Sequence, residues 1–362
     1  MTERVFNFNP GPSTIPVEVL EHAQKELLNY NNTGMSVMEL SHRSKDFEAI
    51  VKQAEASVKK LLNLGDNFRV LFLQGGASLQ FSMVPMNLIP EGATANYIVT
   101  GSFADKAYKE ALKEGPCHIA ATTKATNHNR IPSLDEVQLS ENPAYVHITS
   151  NNTIFGTQWK QFPDFGDTPI VADMSSDILS KPFDASKFGL IYAGAQKNLG
   201  PSGVTMVIIR EDMLQRSPEK LSSMLRYDIM AQNDSLYNTP PTFAIYLVNQ
   251  VLEWIKRNGG LEGMAKHNEE KAGYIYNVID ESNGFYKGHA EKEFRSLMNI
   301  TFRLPNEDLE KTFIAEAAKK GLVGLKGHRS VGGIRASIYN AMPKAGCQAL
   351  ADFMKEFQAK NL

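Results

Sequence analysis

Six short apolar runs, set apart by helical or polar stretches, constrain this chain more than any other feature. They lie at Val70–Leu73, Tyr97–Thr100, Tyr145–Thr149, Ile170–Ala172, Leu190–Tyr192 and Val204–Ile209. Strands that alternate with helices predict a mostly parallel sheet covered on both faces, hence an α/β fold. The helices have their own marks. Ser44 to Leu62 carries Phe47, Ile50, Val51, Ala54, Val58, Leu61 and Leu62 on one stripe, with Ser44 as N-cap and Gly65 just past the end. Val17 to Tyr30 is predicted as a second helix with Pro16 at its start. Pro240-Pro241 opens a long helix, Thr242 to Arg257, which Gly259-Gly260 closes.

With 362 residues the chain exceeds the usual size of one core. A boundary is expected near Gly260, giving a large unit over 16–260 and a smaller α+β unit over 261–362. The smaller unit is predicted to hold a helix near Leu261–Ile279, a strand near Leu297–Phe302, a helix at Glu307–Lys320, a strand after Gly333 and a last helix to the C-terminus.

Several function classes drop out. The formal net charge of -2 offers no basic face for nucleic acid or an acidic membrane. No apolar run is long enough to span a bilayer, and Met1 to Gly11 does not read as a signal peptide. The two cysteines, Cys117 and Cys347, are far apart, which argues against a disulfide framework or a cysteine-built metal site. No metal is expected, and a cytoplasmic location is the default.

Three local signals carry chemistry. The first is Lys197, in the turn Gly194-Ala195-Gln196-Lys197-Asn198-Leu199-Gly200-Pro201-Ser202-Gly203 between two apolar strands. An isolated turn lysine is usually just solvated. Here small, Gly and Pro residues flank it and let a ligand approach the backbone closely. Lysine amines form Schiff bases with pyridoxal phosphate. The second is Asp173, which ends the run Ile170-Val171-Ala172. Ligands of open α/β sheets bind beyond the carboxyl ends of the strands, and a carboxylate there can hold the proton on the pyridine nitrogen that makes this cofactor an electron sink. Alone, such an aspartate is as readily a turn or helix cap. The third is Gln74-Gly75-Gly76-Ala77-Ser78, between a strand and the helical Leu79–Asn87. Backbone N–H groups at a helix start bind phosphate; a lone Gly-Gly turn is weak, and neither a Walker pattern nor G-x-G-x-x-G occurs. Together the three supply what one cofactor needs at its phosphate, ring nitrogen and aldehyde carbon.

This order resembles the fold-type I pyridoxal-phosphate enzymes. Phe6 to Pro12, Met35 to Arg43, the Lys197 turn, Tyr237 to Phe243 and above all Gly327 to Ala341 are similar to the phosphoserine aminotransferase family, along nearly the whole chain. The resemblance implies a homodimer that exchanges an amino group between phosphoserine or 3-phosphohydroxypyruvate and glutamate or 2-oxoglutarate, in serine and in some bacteria pyridoxine biosynthesis. It implies Lys197 as Schiff-base lysine, Asp173 as pyridinium partner, and Ala77 and Ser78 at the phosphate with Gln196 close by. Thr153 is implied near the ring, and Asn238 and Thr239 at the phosphate from the neighbouring subunit. Arg43 is implied as a substrate anion ligand and Arg335 as the α-carboxylate clamp. His42, His328 and Arg329 are implied around the distal anion, and segment 1–15 near the active site. Phe103 stands where the family is expected to have tryptophan, and it can still stack. Pro10 stands where some members have serine, so no substrate contact is carried onto it.

The arginine pattern suits the chemistry. Phosphoserine and glutamate share an α-carboxylate and differ in the distal anion, so one planar guanidinium plus a mixed His/Arg cluster would serve both. His42-Arg43 and His328-Arg329 are the two His-Arg pairs of the chain. A cysteine desulfurase would need a nucleophilic cysteine in a Gly-rich loop, which neither cysteine provides. The nearest rival is an aminotransferase for another small acid, such as alanine or glyoxylate, which would not need the second cationic cluster. A non-catalytic α/β scaffold protein would show no visible cofactor band.

Overall fold

The computed structural model describes residues 4–362. Residues 1–3, part of the 1–15 segment and of the Met1 to Gly11 stretch considered above, lie outside the described residues. The centre is a seven-stranded sheet in the order Phe68–Leu73, Thr205–Arg210, Phe188–Gly194, Ile170–Asp173, Pro143–Thr149, Thr94–Val99, Cys117–Thr122. All neighbours pair in parallel except Thr205–Arg210, which is antiparallel to both of its partners. The fold is thus the expected α/β arrangement with a mainly parallel sheet.

Side chains alternate between two cores. Val70, Phe72, Ile191, Ala193, Met206 and Ile208 enter one, shared with the helices Lys45–Leu61 and Thr242–Arg257. Leu71, Leu73, Leu190, Tyr192, Val207 and Ile209 enter the other, shared with the helices Gly76–Leu88 and Ser102–Ala111. This period of two, with both faces apolar, is why these strands read as near-continuous hydrophobic runs.

Strand direction locates the site. Two antiparallel steps, from Phe188–Gly194 to Thr205–Arg210 to Phe68–Leu73, restore the original direction. The carboxyl ends at Leu73, Val99, Thr149, Asp173 and Gly194 therefore share one edge of the sheet, and the segments that follow them converge there.

A third core holds Phe8, then residues from Ala272 to Phe357. It packs a three-stranded antiparallel sheet, Lys287–Gly288, Asn299–Arg303 and Ile334–Ser337, against the helices Gly260–Glu281, Glu307–Lys319 and Lys344–Asn361. The passage between cores lies inside the helix Gly260–Glu281: Leu261 and Met264 join the first core, Ala272 and Ile275 the third. Phe6–Asn7 pairs in parallel with Leu322–Val323, so the N-terminal segment is stitched to the smaller unit. No helix is long and apolar enough to cross a membrane among the described residues.

Two expectations are corrected, and one strand was not anticipated. The second helix stops at Glu26 rather than Tyr30, because Asn29 to Gly34 forms a polar turn in which Asn31 and Asn32 take left-handed backbone and Asn29 Oδ1 accepts from the Gly34 N–H at 2.8 Å. The helix after the Gly-Gly turn begins at Gly76, not Leu79, so Ala77 and Ser78 lie in its first turn. The edge strand Cys117–Thr122 escapes the apolar-run pattern because it is half exposed, with Ile119 and Thr122 outward.

Candidate active site

A cavity of about 290 Å³ opens at the carboxyl edge of the sheet. It is lined from five directions: Gly76, Ala77, Ser78 and Phe81 from the first helix after the Gly-Gly turn, Phe103 from the next, Thr153 and Ile154, then Asp173 and Ser175, and finally Gln196 and Lys197. Pro10 and Gly11 from the N-terminal segment and His328 and Arg335 from the smaller unit complete it.

The turn chemistry explains the lysine. Ala195 N bonds to Val204 O at 3.0 Å and Gly200 N to Ala195 O at 2.8 Å, which folds residues 195–204 into a tight loop over the strand ends. Ser13 Oγ donates to Lys197 O at 2.6 Å, so the N-terminal segment fixes the lysine backbone from outside. A Cβ on Gly11 would meet Lys197 Cγ at 3.2 Å, and Gly11 has φ +144°, so glycine is needed where the segment presses on the lysine stem. The Lys197 amine donates to Thr153 Oγ1 at 2.7 Å and lies 5.0 Å from the centroid of the Phe103 ring. Burial pushes this amine down to about 8, opposed by Asp173 and aided by Arg335.

Asp173 is 6% exposed. Its Oδ1 accepts from Ser175 N at 2.9 Å and Ser175 Oγ at 2.7 Å, and Ser175 Oγ accepts in turn from Gly194 N at 3.0 Å. The serine thus ties the carboxylate to the strand that leads into the lysine turn. Burial raises the Asp173 carboxyl, while Lys197 and the two bonds from Ser175 pull it back toward the ionised form.

Arg335 stands 7% exposed in the strand Ile334–Ser337, and its Nε is buried without a hydrogen-bond partner among the described residues. A guanidinium with an orphaned N–H at a cavity wall is suited to a carboxylate. Its strand is set against the large unit by a buried amide: Asn299 donates to Ser337 Oγ at 2.9 Å and to Tyr339 Oη at 3.2 Å, and accepts from Asn151 Nδ2 at 2.8 Å. His328 sits beside it, with its pKa lowered by burial and then by the nearby Arg335, Arg329 and Lys106.

Nine of the sequence candidates meet here: Ala77, Ser78, Phe103, Thr153, Asp173, Gln196, Lys197, His328 and Arg335. Five do not line this cavity. Arg329 is exposed on an adjoining cavity that shares His328. Arg43 lines a separate hollow with Glu48, Asn233 and Asp234, and His42 precedes it with a buried Nε2 lacking a partner among the described residues. Asn238 donates to Gln74 Oε1 of its own chain at 3.3 Å, just ahead of the Gly-Gly turn, and Thr239 is exposed. Ser175, Phe81, Gly11 and Ser13 were missed from sequence. Ser175 alone left a signal, as a hydroxyl two residues after a strand-end aspartate.

The residues present fit pyridoxal phosphate: a helix start open to an anion, a buried carboxylate, a phenyl ring and a depressed amine face one cavity, and a Cβ on Gly76 would meet open space there. Comparison with known proteins decides the family. Residues 5–350 match the aminotransferase class-V family. The chain belongs to it. Class-V aminotransferases depend on pyridoxal phosphate. The chain is 62% identical to a phosphoserine aminotransferase of Geobacillus kaustophilus over 360 residues, covering 99% of each. The solved phosphoserine aminotransferase of Bacillus circulans subsp. alkalophilus superposes with a TM-score of 0.98 at 56% identity, covering 100% of both chains. The pyridoxal-phosphate-bound phosphoserine aminotransferase of Trichomonas vaginalis gives 0.93 at 40% identity over 97% of this chain and 100% of that one.

Proposed function

We propose that this class-V enzyme is a phosphoserine aminotransferase, moving an amino group between O-phospho-L-serine or 3-phosphohydroxypyruvate and glutamate or 2-oxoglutarate in serine biosynthesis. The observation that carries the substrate reading is the pairing of Arg335, its Nε orphaned at the cavity wall, with His328 in the same cavity and Arg329 on the adjoining hollow that shares His328. One cationic group suits the shared α-carboxylate, and the loop suits a distal phosphate or carboxylate.

Bound pyridoxal phosphate supplies the electron sink that lets a Cα–H bond ionise. The chain's own groups do the rest. Backbone N–H groups of Gly76, Ala77 and Ser78 at the helix start would hold the phosphate, with Gln196 alongside. Asp173, oriented by Ser175, would hold the proton on the ring nitrogen. Phe103 would stack on the ring. Lys197 Nζ would hold the cofactor and, as a free amine, could take up or return the Cα proton; burial lowers its pKa to about 8, which favours the free amine near neutral pH. Thr153 Oγ1 holds that amine in position. Burial and the neighbouring Arg335, Arg329 and Lys106 lower the His328 pKa, and a bound dianion would pull it back up toward the protonated form.

A homodimer completes this reading. Leu28, Met35, Met38 and Tyr237 are exposed apolar side chains in the segments that carry His42, Arg43, Asn238 and Thr239. Exposed apolar side chains of this kind suit coverage by a partner, and a second copy covering them would bring these polar residues to the neighbouring cavity. Mixing Lys197→Ala chains with chains weakened by Thr239→Ala should restore part of the lost activity through hybrid dimers. No recovery, with subunit exchange verified, would argue against contacts in trans.

Two arginine variants test the substrate reading. Arg335→Leu should weaken every amino-acid donor by about tenfold or more, since a hydrogen bond to a charged group contributes about 1.5–3 kcal/mol. Arg329→Leu should weaken phosphoserine and glutamate together, leave alanine unchanged and leave the cofactor absorbance intact. A uniform loss across donors in the Arg329 variant would reject the distal-anion role.

A further inference from the structure

The loop that carries His328 and Arg329 turns back sharply on itself. Gly327 N bonds to Gly333 O at 2.8 Å and Gly332 N to His328 O at 2.7 Å, and within the tip His328 Nδ1 pairs with Ser330 Oγ at 2.7 Å. From outside, a strand-end side chain reaches it. Arg303, at the end of the neighbouring strand, donates through Nη1 to Val331 O at 2.9 Å and through Nε to Glu310 Oε1 at 2.5 Å. Glu310 is 6% exposed in the first turn of the helix Glu307–Lys319, and the same oxygen accepts from Leu304 N at 3.3 Å. The guanidinium is therefore fixed at both ends, between a helix and a loop carbonyl. The loop is shaped to receive it. A Cβ on Gly332 would lie 2.9 Å from Arg303 Nη1, and one on Gly333 would lie 2.5 Å from Arg303 Cδ. Both glycines have left-handed backbone, with φ +73° and +67°.

We propose that Arg303 is a positioning residue that sets specificity for substrates with a second anion: it braces the His328–Arg329 loop against Glu310, so that both side chains keep their places beside the cavity. The inference rests on the distal-anion reading of that loop. Arg303 uses its Nε and Nη1 on Glu310 and Val331, and through these two bonds it acts on the position of the loop. Arg335 lies in the strand beyond Gly333 and is held separately by the Asn299 network, so binding of the α-carboxylate should not depend on the brace.

The test is the ratio of kcat/KM for phosphoserine to that for alanine, in the holoenzyme. Arg303→Met should lower the phosphoserine value by about tenfold, mainly through KM, with alanine changed less than about twofold, and should weaken inhibition by inorganic phosphate in parallel. Arg303→Lys keeps a cation beside Glu310 but cannot fork to Val331 O as well, and should reproduce most of the loss; it carries the test if Arg303→Met does not fold. Full phosphoserine preference in Arg303→Lys, or an equal loss on both donors in Arg303→Met, would overturn the proposal. Arg329→Leu separates the two levels. If it leaves the preference intact, the distal-anion reading fails; if it abolishes the preference while Arg303→Lys does not, only the brace fails.

Discussion

Lys197→Ala should lower transamination by at least about 10²–10⁴-fold, the range expected for loss of a positioned proton-transfer group, and abolish covalent capture of the cofactor. Two properties of the site require this. The amine lies inside the cavity, held at 2.7 Å by Thr153 and depressed to about 8, and its backbone is pinned by Ser13. Borohydride reduction of the wild-type protein, followed by digestion, should place the pyridoxyl mass on the peptide containing Lys197. Recovery of that mass on another lysine would sink the assignment.

Asp173→Asn comes next in size. The substitution keeps volume and one hydrogen-bonding oxygen but removes the charge that holds the ring proton. A hydrogen bond to a charged group contributes about 1.5–3 kcal/mol, and about 1.4 kcal/mol is tenfold in rate. Because ring protonation is part of the chemistry rather than of binding alone, kcat should fall at least about tenfold while the protein still folds and takes up cofactor. The Ser175 bonds argue that the aspartate has one fixed orientation, so the loss should not be recovered by side-chain rearrangement. Near-normal turnover in the asparagine variant would reject the role.

How much of this was legible in sequence depends on how local each feature is. The Lys197 turn, Asp173 and the Gly75-Gly76 turn each follow a strand directly, so their chemistry and their position at the strand ends could be read together. The antiparallel placement of Thr205–Arg210 was also within reach: residues 195–204 are too few for the crossover helix that a parallel neighbour needs. The strand Cys117–Thr122 was not, because an edge strand with outward Ile119 and Thr122 leaves no continuous apolar run. The helix predicted through Tyr30 failed because Leu27 and Leu28 extend the apolar periodicity while lying exposed, and the asparagine-rich turn overrides it. Tertiary placement was hidden most. Arg335 and Arg329 are six residues apart, yet one is buried in the cavity wall and the other exposed on the adjoining hollow. Nothing local distinguishes His42-Arg43 from His328-Arg329 either, although only His328 lines the cavity within its own chain. The role of Ser13 depends on the pairing of Phe6–Asn7 with Leu322–Val323, more than three hundred residues away.

On the proposed function, the site must recognise two anions on one amino acid. A distal phosphate carries close to two negative charges at neutral pH, and a site that strips its water must pair them. The most direct measurement is therefore kcat/KM for phosphoserine, serine, alanine and aspartate as donors to 2-oxoglutarate, with the wild-type holoenzyme. Phosphoserine should exceed serine and alanine by at least about a hundredfold, the product of two charge-assisted contacts at roughly tenfold each, and glutamate should serve as donor in the reverse direction. Serine or alanine turning over as well as phosphoserine would contradict the account and make the protein an aminotransferase for small acids in general.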